Sequence, residues 1–167
     1  MSLRLVSESR APEAVVLVRL AVGAVFLSEG IQKFLYPAAL GVGRFTKIGI
    51  PMPALSAPFV GVVEIVCGAL VLVGLTTRLA AVLLMVDMLV AIATTKIPIL
   101  LSEGLWAMAH EARVDFTMLL GSLFLLFVGA GPWALDAKLV GSARAVTGHG
   151  ALQAEVADTT ASGEPGS

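Results

Sequence analysis

Ionisable residues stand in stretches of this sequence that are otherwise apolar: Arg19, Glu29, Lys33, Glu64, Asp87, Lys96 and Asp115. A charge at the centre of a membrane helix costs about 2.5–3.5 kcal/mol on insertion scales. Each such residue must therefore face protein and find a partner. Acids beside cations in a low-dielectric interior can pass protons, bind a polar headgroup or hydrogen-bond a quinone carbonyl. They can also do nothing chemical and only hold helices in register.

Spacing groups them. Arg19, Gly23, Phe26, Gly30 and Lys33 follow steps of four and three, so they form one stripe of a helix. Glu29 lies beside that stripe and precedes Lys33 by four residues, the favourable order for an intrahelical pair. Gly61, Glu64 and Gly68 share a second face, and Leu84, Asp87, Ala91 and Thr94 a third. Asp115, Leu119, Ser122 and Leu126 share a fourth. If the faces converge, Glu29, Glu64, Asp87 and Asp115 supply acids to a buried polar cluster, while Arg19, Lys33 and Lys96 supply cations. Arg19 belongs near the opposite membrane surface from Lys33 and serves a different layer, or snorkels to the headgroups. Gly23, Gly30, Gly61 and Gly68 are expected to let helix backbones approach closely.

These faces need elements to carry them. A crossing helix takes roughly 20 mainly apolar residues. Ala14 to Leu35, Leu55 to Leu75, Arg78 to Leu100 and Val114 to Gly131 meet that requirement, which predicts an all-α transmembrane four-helix bundle. Tyr36-Pro37 stops the first helix. Val42 to Ile50 is expected as a short interfacial helix, with Phe45, Ile48 and Ile50 toward lipid and Arg44 and Lys47 toward water. The Gly74 to Arg78 turn admits only antiparallel neighbours. Ser102 to Arg113 reads as a polar connection, with Trp106 as an interface anchor, and Trp133 is expected at headgroup level. A faint repeat relates Arg19-Leu20-Ala21 to Arg78-Leu79-Ala80, with Glu29 answering to Asp87.

The domain reading is an N-terminal cytoplasmic segment over 1–13, a membrane domain over 14–138 and a disordered polar tail over 139–167. The N-terminal stretch is read as a retained helix, not a signal peptide, because Arg19 interrupts the apolar run and no small-residue cleavage site follows. Four crossings put both termini on one side, and the Lys/Arg distribution leans toward the cytoplasm.

Composition agrees with lipid as the solvent. Hydrophobic residues make up 57%, charged residues 14%, and mean hydropathy is +0.94. Soluble domains are about 45–50% apolar and about 25% charged. A net charge of −1 gives no reason to expect a nucleic-acid partner. Cys67 has no second cysteine, so disulfide, CxxC and thiolate metal chemistry are not available within the chain. His110 and His149 have no paired spacing, and no metal site is expected. No phosphate-binding glycine loop or nucleophile triad pattern is present.

Several pieces together resemble the DoxX family: Arg19 with Gly30-Ile31-Gln32-Lys33-Phe34, then Gly49-Ile50-Pro51, then Gly61-Val62-Val63-Glu64, then Gly74-Leu75-Thr76-Thr77-Arg78-Leu79-Ala80-Ala81, and finally Gly129 to Asp136. The resemblance spans about Val15 to Lys138. It implies a bacterial or archaeal cytoplasmic-membrane protein of four helices with a link to redox chemistry. Some members of that family are described as a membrane subunit of thiosulfate:quinone oxidoreductase and others as membrane partners of superoxide dismutase and a sulfurtransferase, while many have no assigned activity. Family members often carry a glutamate near the start of the fourth span. Here Asp115 stands in that place, with Glu111 as a rival.

The expectation is thus a membrane subunit or scaffold of a redox complex, with no cofactor evident in its own motifs and a quinone as the ligand to look for. It would act as a non-catalytic subunit, with redox-enzyme partners and a homo-oligomer as its assemblies. A small proton-coupled permease and a purely structural membrane module are the alternatives.

Overall fold

The computed structural model describes residues 13–136, and these are helical with no strand among them. The expected segment 1–13, apart from Glu13, and the expected tail 139–167 lie outside the described residues. The order is α1 Val15–Leu35, α2 Val42–Lys47, α3 Pro53–Val73, α4 Thr77–Ala91, a π-helical turn Ile92–Lys96, α5 Ile97–Glu103, α6 Leu105–Glu111 and α7 Arg113–Val128.

Three helices are long and apolar enough to cross a membrane: α1, α3 and the continuous run Thr77–Glu103. The helix expected as a fourth span, α7, has 16 residues. At 1.5 Å per residue that is about 24 Å, against roughly 30 Å of hydrocarbon. The connection expected over Ser102 to Arg113 is itself helical, broken at Gly104 by a φ of 88° and resumed as α6.

α1 packs along α3, and α4 packs along α7; α3–α4 and the lighter α1–α7 contact join the two pairs. The α1–α3 seam depends on missing side chains. A Cβ on Gly30 would lie 2.7 Å from the Gly61 carbonyl oxygen, and one on Gly23 would lie 2.8 Å from that of Gly68. A Cβ on Gly68 would reach within 2.9 Å of the Gly23 oxygen. Helices in lipid gain no hydrophobic driving force from one another, so close backbone packing has to supply the attraction.

The inner core is small: Val22, Phe26, Val71, Ala81, Leu84 and Leu125 are almost fully buried. Large apolar side chains such as Leu17, Phe59, Leu79, Leu120 and Phe127 point outward instead. That inversion suits hydrocarbon surroundings. Phe45 departs from the expected lipid-facing position: it is 7% exposed, because α2 folds back against α3, while Arg44 and Lys47 are exposed.

Two local devices set the ends. Gly74 takes φ 72° at the end of α3, and the Leu75 N–H donates to Leu70 O at 2.9 Å, closing the helix with a left-handed cap. Before Pro98 the third span widens into its π-turn. Proline has no N–H to offer, and its ring crowds the carbonyl of Thr94 one turn back. The wider turn relieves that crowding, and the Thr95 hydroxyl donates to Ala91 O at 2.6 Å.

Gly30→Val should lower stability by about 1–3 kcal/mol through overpacking. Ala24→Val, on the exposed face of the same helix, should change it by less than about 0.5 kcal/mol. Thermal unfolding of both variants in detergent micelles measures the difference.

Candidate functional site

The polar residues fall into layers along the bundle. At the end carrying the α3–α4 turn, Arg19 is 2% exposed and fully engaged. Its Nε donates to Val71 O at 3.0 Å and its Nη2 to Leu72 O at 2.7 Å. Its Nη1 donates to Ala130 O at 3.1 Å and Trp133 O at 3.3 Å. One guanidinium thus satisfies carbonyls that the end of α3 and the Gly129–Trp133 segment would otherwise leave bare. It does not snorkel, and it does not join the acids.

Asp136 completes this layer. Its carboxylate accepts from the Thr76 N–H at 2.9 Å and the Thr77 N–H at 3.2 Å, and its own N–H donates to Gly74 O at 3.0 Å. It therefore caps the N-terminus of α4 from sixty residues away. Nothing in local spacing marks Asp136 for that task; only its place in the Gly129 to Asp136 run draws the eye.

The middle layer holds the acids. Lys33 Nζ donates to Glu64 Oε2 at 2.5 Å, with the side chains 12% and 3% exposed. Asp87 lies close enough to Glu64 and Lys33 to feel their charges. Cys67 is buried beside Asp87. Glu64 precedes Gly74 by ten residues and Asp87 follows Thr77 by ten. Both therefore lie about 15 Å from the turn, half the hydrocarbon thickness.

Glu29 does not join them. It is exposed on α1, and the expected Glu29–Lys33 pair does not form. Lys33 turns instead across the α1–α3 seam, which Gly30 and Gly61 hold close enough for the lysine to reach Glu64. A buried carboxylate binds the ammonium in low dielectric more strongly than one facing outward.

The third layer pairs Lys96 with Asp115 at 3.2 Å, with the side chains 9% and 21% exposed. The π-turn brings Lys96 round to face α7. The nearby Pro98 is the sequence signal for that rotation. Glu111, the rival to Asp115, is exposed on α6, where His110 is hydrogen-bonded to Arg113.

Two contacts set the register of α4 against α7: Arg78 Nη2 donates to Phe127 O at 3.4 Å, and Lys96 meets Asp115. On α7, Ser122 is 0% exposed. Asp87 Oδ2 and Ser122 Oγ are both buried without a hydrogen-bond partner. Buried polar atoms are nearly always paired, so each is an exception. Thr77 Oγ1 is a third such atom, in the Arg19 layer.

The faint repeat takes on a different form in three dimensions. Glu29 and Asp87 are not equivalent, since one faces out and the other in. The likeness lies between helix pairs. In each, an arginine donates to carbonyls late in the second helix, and a lysine meets an acid of that helix. Among the described residues, no group of three His, Cys, Asp or Glu is arranged to hold a metal ion.

Comparison with known proteins places this geometry in context. The DoxX family pattern matches residues 14–97. A Mycobacterium tuberculosis protein named "Uncharacterized membrane protein Rv3486" is 57% identical over 134 residues, covering 77% of this chain and 82% of that one. A Bacillus subtilis protein named "Putative oxidoreductase CatD" is 30% identical over 120 residues, covering 72% and 82%. A Haemophilus influenzae protein is 33% identical over 134 residues, covering 78% and 94%. No solved structure matches.

Lys33→Met strands the buried Glu64 and should cost about 3–5 kcal/mol. The double variant Lys33→Met/Glu64→Leu should regain most of that loss, because an apolar pair needs no solvation. A double-mutant cycle on thermal unfolding tests this. In the Arg19 layer, Asp136→Ala should cost about 1 kcal/mol, the usual worth of a helix cap, measured in the same assay.

Proposed function

The chain belongs to the DoxX family, and we propose that it is a membrane subunit or scaffold of a redox complex whose middle polar layer holds the head of a quinone. It sits in the bacterial cytoplasmic membrane, with α7 and the Gly129–Trp133 segment completing a fourth crossing and both termini on the cytoplasmic side. The observation that carries the reading is the buried Lys33–Glu64 ion pair at mid-membrane depth with a second acid, Asp87, at the same depth, whose Oδ2 is buried without a hydrogen-bond partner.

The donor set suits such a head. A quinone carbonyl needs a hydrogen-bond donor, which the Lys33 ammonium provides. The reduced form carries hydroxyls, which the Asp87 carboxyl can accept. When bound, the quinone would supply two-electron, two-proton chemistry that no side chain of this protein offers. The protein's own part is to orient the head, exclude water and hold a proton between the adjoining Glu64 and Asp87 carboxyls. Two carboxyls in contact repel unless a proton lies between them. Electrons would come from a partner protein, in keeping with a distant relative named as an oxidoreductase.

The Arg19 layer favours a site closed at one end over a path through the membrane, because its guanidinium and Asp136 fill the end beyond Glu64. That weighs against the permease reading. The salt bridge alone would serve a structural module equally well; the second acid beside it, with its Oδ2 unpartnered, is what favours a site.

Purification of the tagged protein from its native membrane in mild detergent should recover near-stoichiometric quinone, a redox-enzyme partner, or both. Asp87→Asn should lower the retained quinone about tenfold, the equivalent of ~1.4 kcal/mol, while melting within a few degrees of the parent. A parent protein that carries neither quinone nor partner would overturn the proposal in favour of the structural module.

A further inference from the structure

α1 and α7 touch at one level and part at another. A Cβ on Gly121 would lie 2.5 Å from Val22 Cγ2 and 4.0 Å from Val22 Cβ, so the two helices are in tight contact there. They run antiparallel. One turn nearer the Lys96–Asp115 end, Val25 and Met118 still pack into the core. Two turns from the contact, Glu29 follows Val22 by seven residues and Val114 precedes Gly121 by seven. Seven residues bring a helix back to nearly the same face. Faces that meet at Val22 and Gly121 should therefore meet again at Glu29 and Val114. Instead Glu29 is exposed, and Val114 is 56% exposed. The helices have diverged, leaving a wedge between α1 and α7 that faces the bilayer side of the molecule.

The wedge leads somewhere. Glu29 is one turn before Lys33, whose ammonium meets Glu64 in the middle layer. The opening thus has an apolar wall in Val114 and polar groups in Glu29 and Lys33 toward its inner end. A carboxylate turned toward hydrocarbon at this depth is otherwise costly.

We infer that the Lys33–Glu64–Asp87 layer is loaded sideways from the bilayer, through the wedge between Glu29 of α1 and Val114 of α7, by a lipid-dissolved quinone whose apolar tail stays between the helices. The inference rests on the quinone reading above and adds its route and the reason for a tail. Polarity matches the occupant: the Lys33 ammonium can donate to the oxygens of the head, and an isoprenoid or alkyl chain lies along Val114. The clamped Arg19 end offers no comparable entry.

Two measurements test it. In a Cys67→Ala background, Val22→Cys/Gly121→Cys should oxidise to a disulfide in native membranes, since the Cβ separation of 4.0 Å is within the bonding range. Glu29→Cys/Val114→Cys should not. Equal oxidation of both pairs would mean a closed seam and overturn the inference, whatever the ligand. The second readout is uptake of decyl-ubiquinone by the full-length protein in vesicles. Val114→Trp, which fills the wedge without touching the ion pair, should slow uptake at least tenfold, and Val114→Ala should leave it unchanged. Uptake at the parental rate in a folded Val114→Trp protein would overturn the route. A phospholipid retained in place of the quinone would overturn the occupant. Absence of any quinone binding by the parent would defeat the proposed function, and the disulfide pattern would still decide whether the wedge exists.

Discussion

Hydrocarbon offers no hydrogen bonds, so every charge inside this bundle has to be answered by oxygen from the protein itself. That constraint accounts for more of the structure than hydrophobic burial does. Arg19 is answered by backbone carbonyls, Lys33 by Glu64 and Lys96 by Asp115. Each answer ties two helices, and together the three fix the register of both helix pairs. The glycine seam then follows as a necessity: Lys33 reaches Glu64 because Gly30 and Gly61 let α1 and α3 come close enough.

The layers differ in what they leave over. In the Arg19 layer the donors and acceptors are almost fully matched, the Thr77 hydroxyl being the one buried side-chain atom left unpaired there among the described residues. The middle layer has two carboxyls against one ammonium, with Asp87 Oδ2 left without a partner. That imbalance is what the proposed quinone site rests on, since helix register can account for hydrogen-bonded charge alone.

Much of this was legible in the residues. Helix positions follow from apolar runs and from Pro37, Gly74 and Pro53, and the glycine stripes point to the α1–α3 seam. Glu64 and Asp87 are marked by type and depth. What escaped depends on partners far away in the chain. Glu29 and Lys33 look like an ideal local pair, and only the proximity of α3 diverts the lysine. Asp136 caps a helix sixty residues earlier, which no window of sequence contains. Phe45 looks lipid-facing until α2 is seen folded onto α3. The π-turn comes from a backbone compromise at Pro98 that hydropathy does not register. Periodicity reports which face of a helix is apolar; it is silent on which neighbour that face meets.

The Arg19 clamp has a mechanical meaning. It ties α1, the end of α3 and the segment after α7 to one guanidinium, and Asp136 ties that segment to the start of α4. The bundle is therefore pinned at one end, and the wedge inferred between α1 and α7 lies toward the other. A pinned and splayed frame has one soft direction, the spreading of its free end, like the jaws of a peg about its spring. Thermal motion in such a frame collects at the jaws, and the residues at the pivot feel least of it.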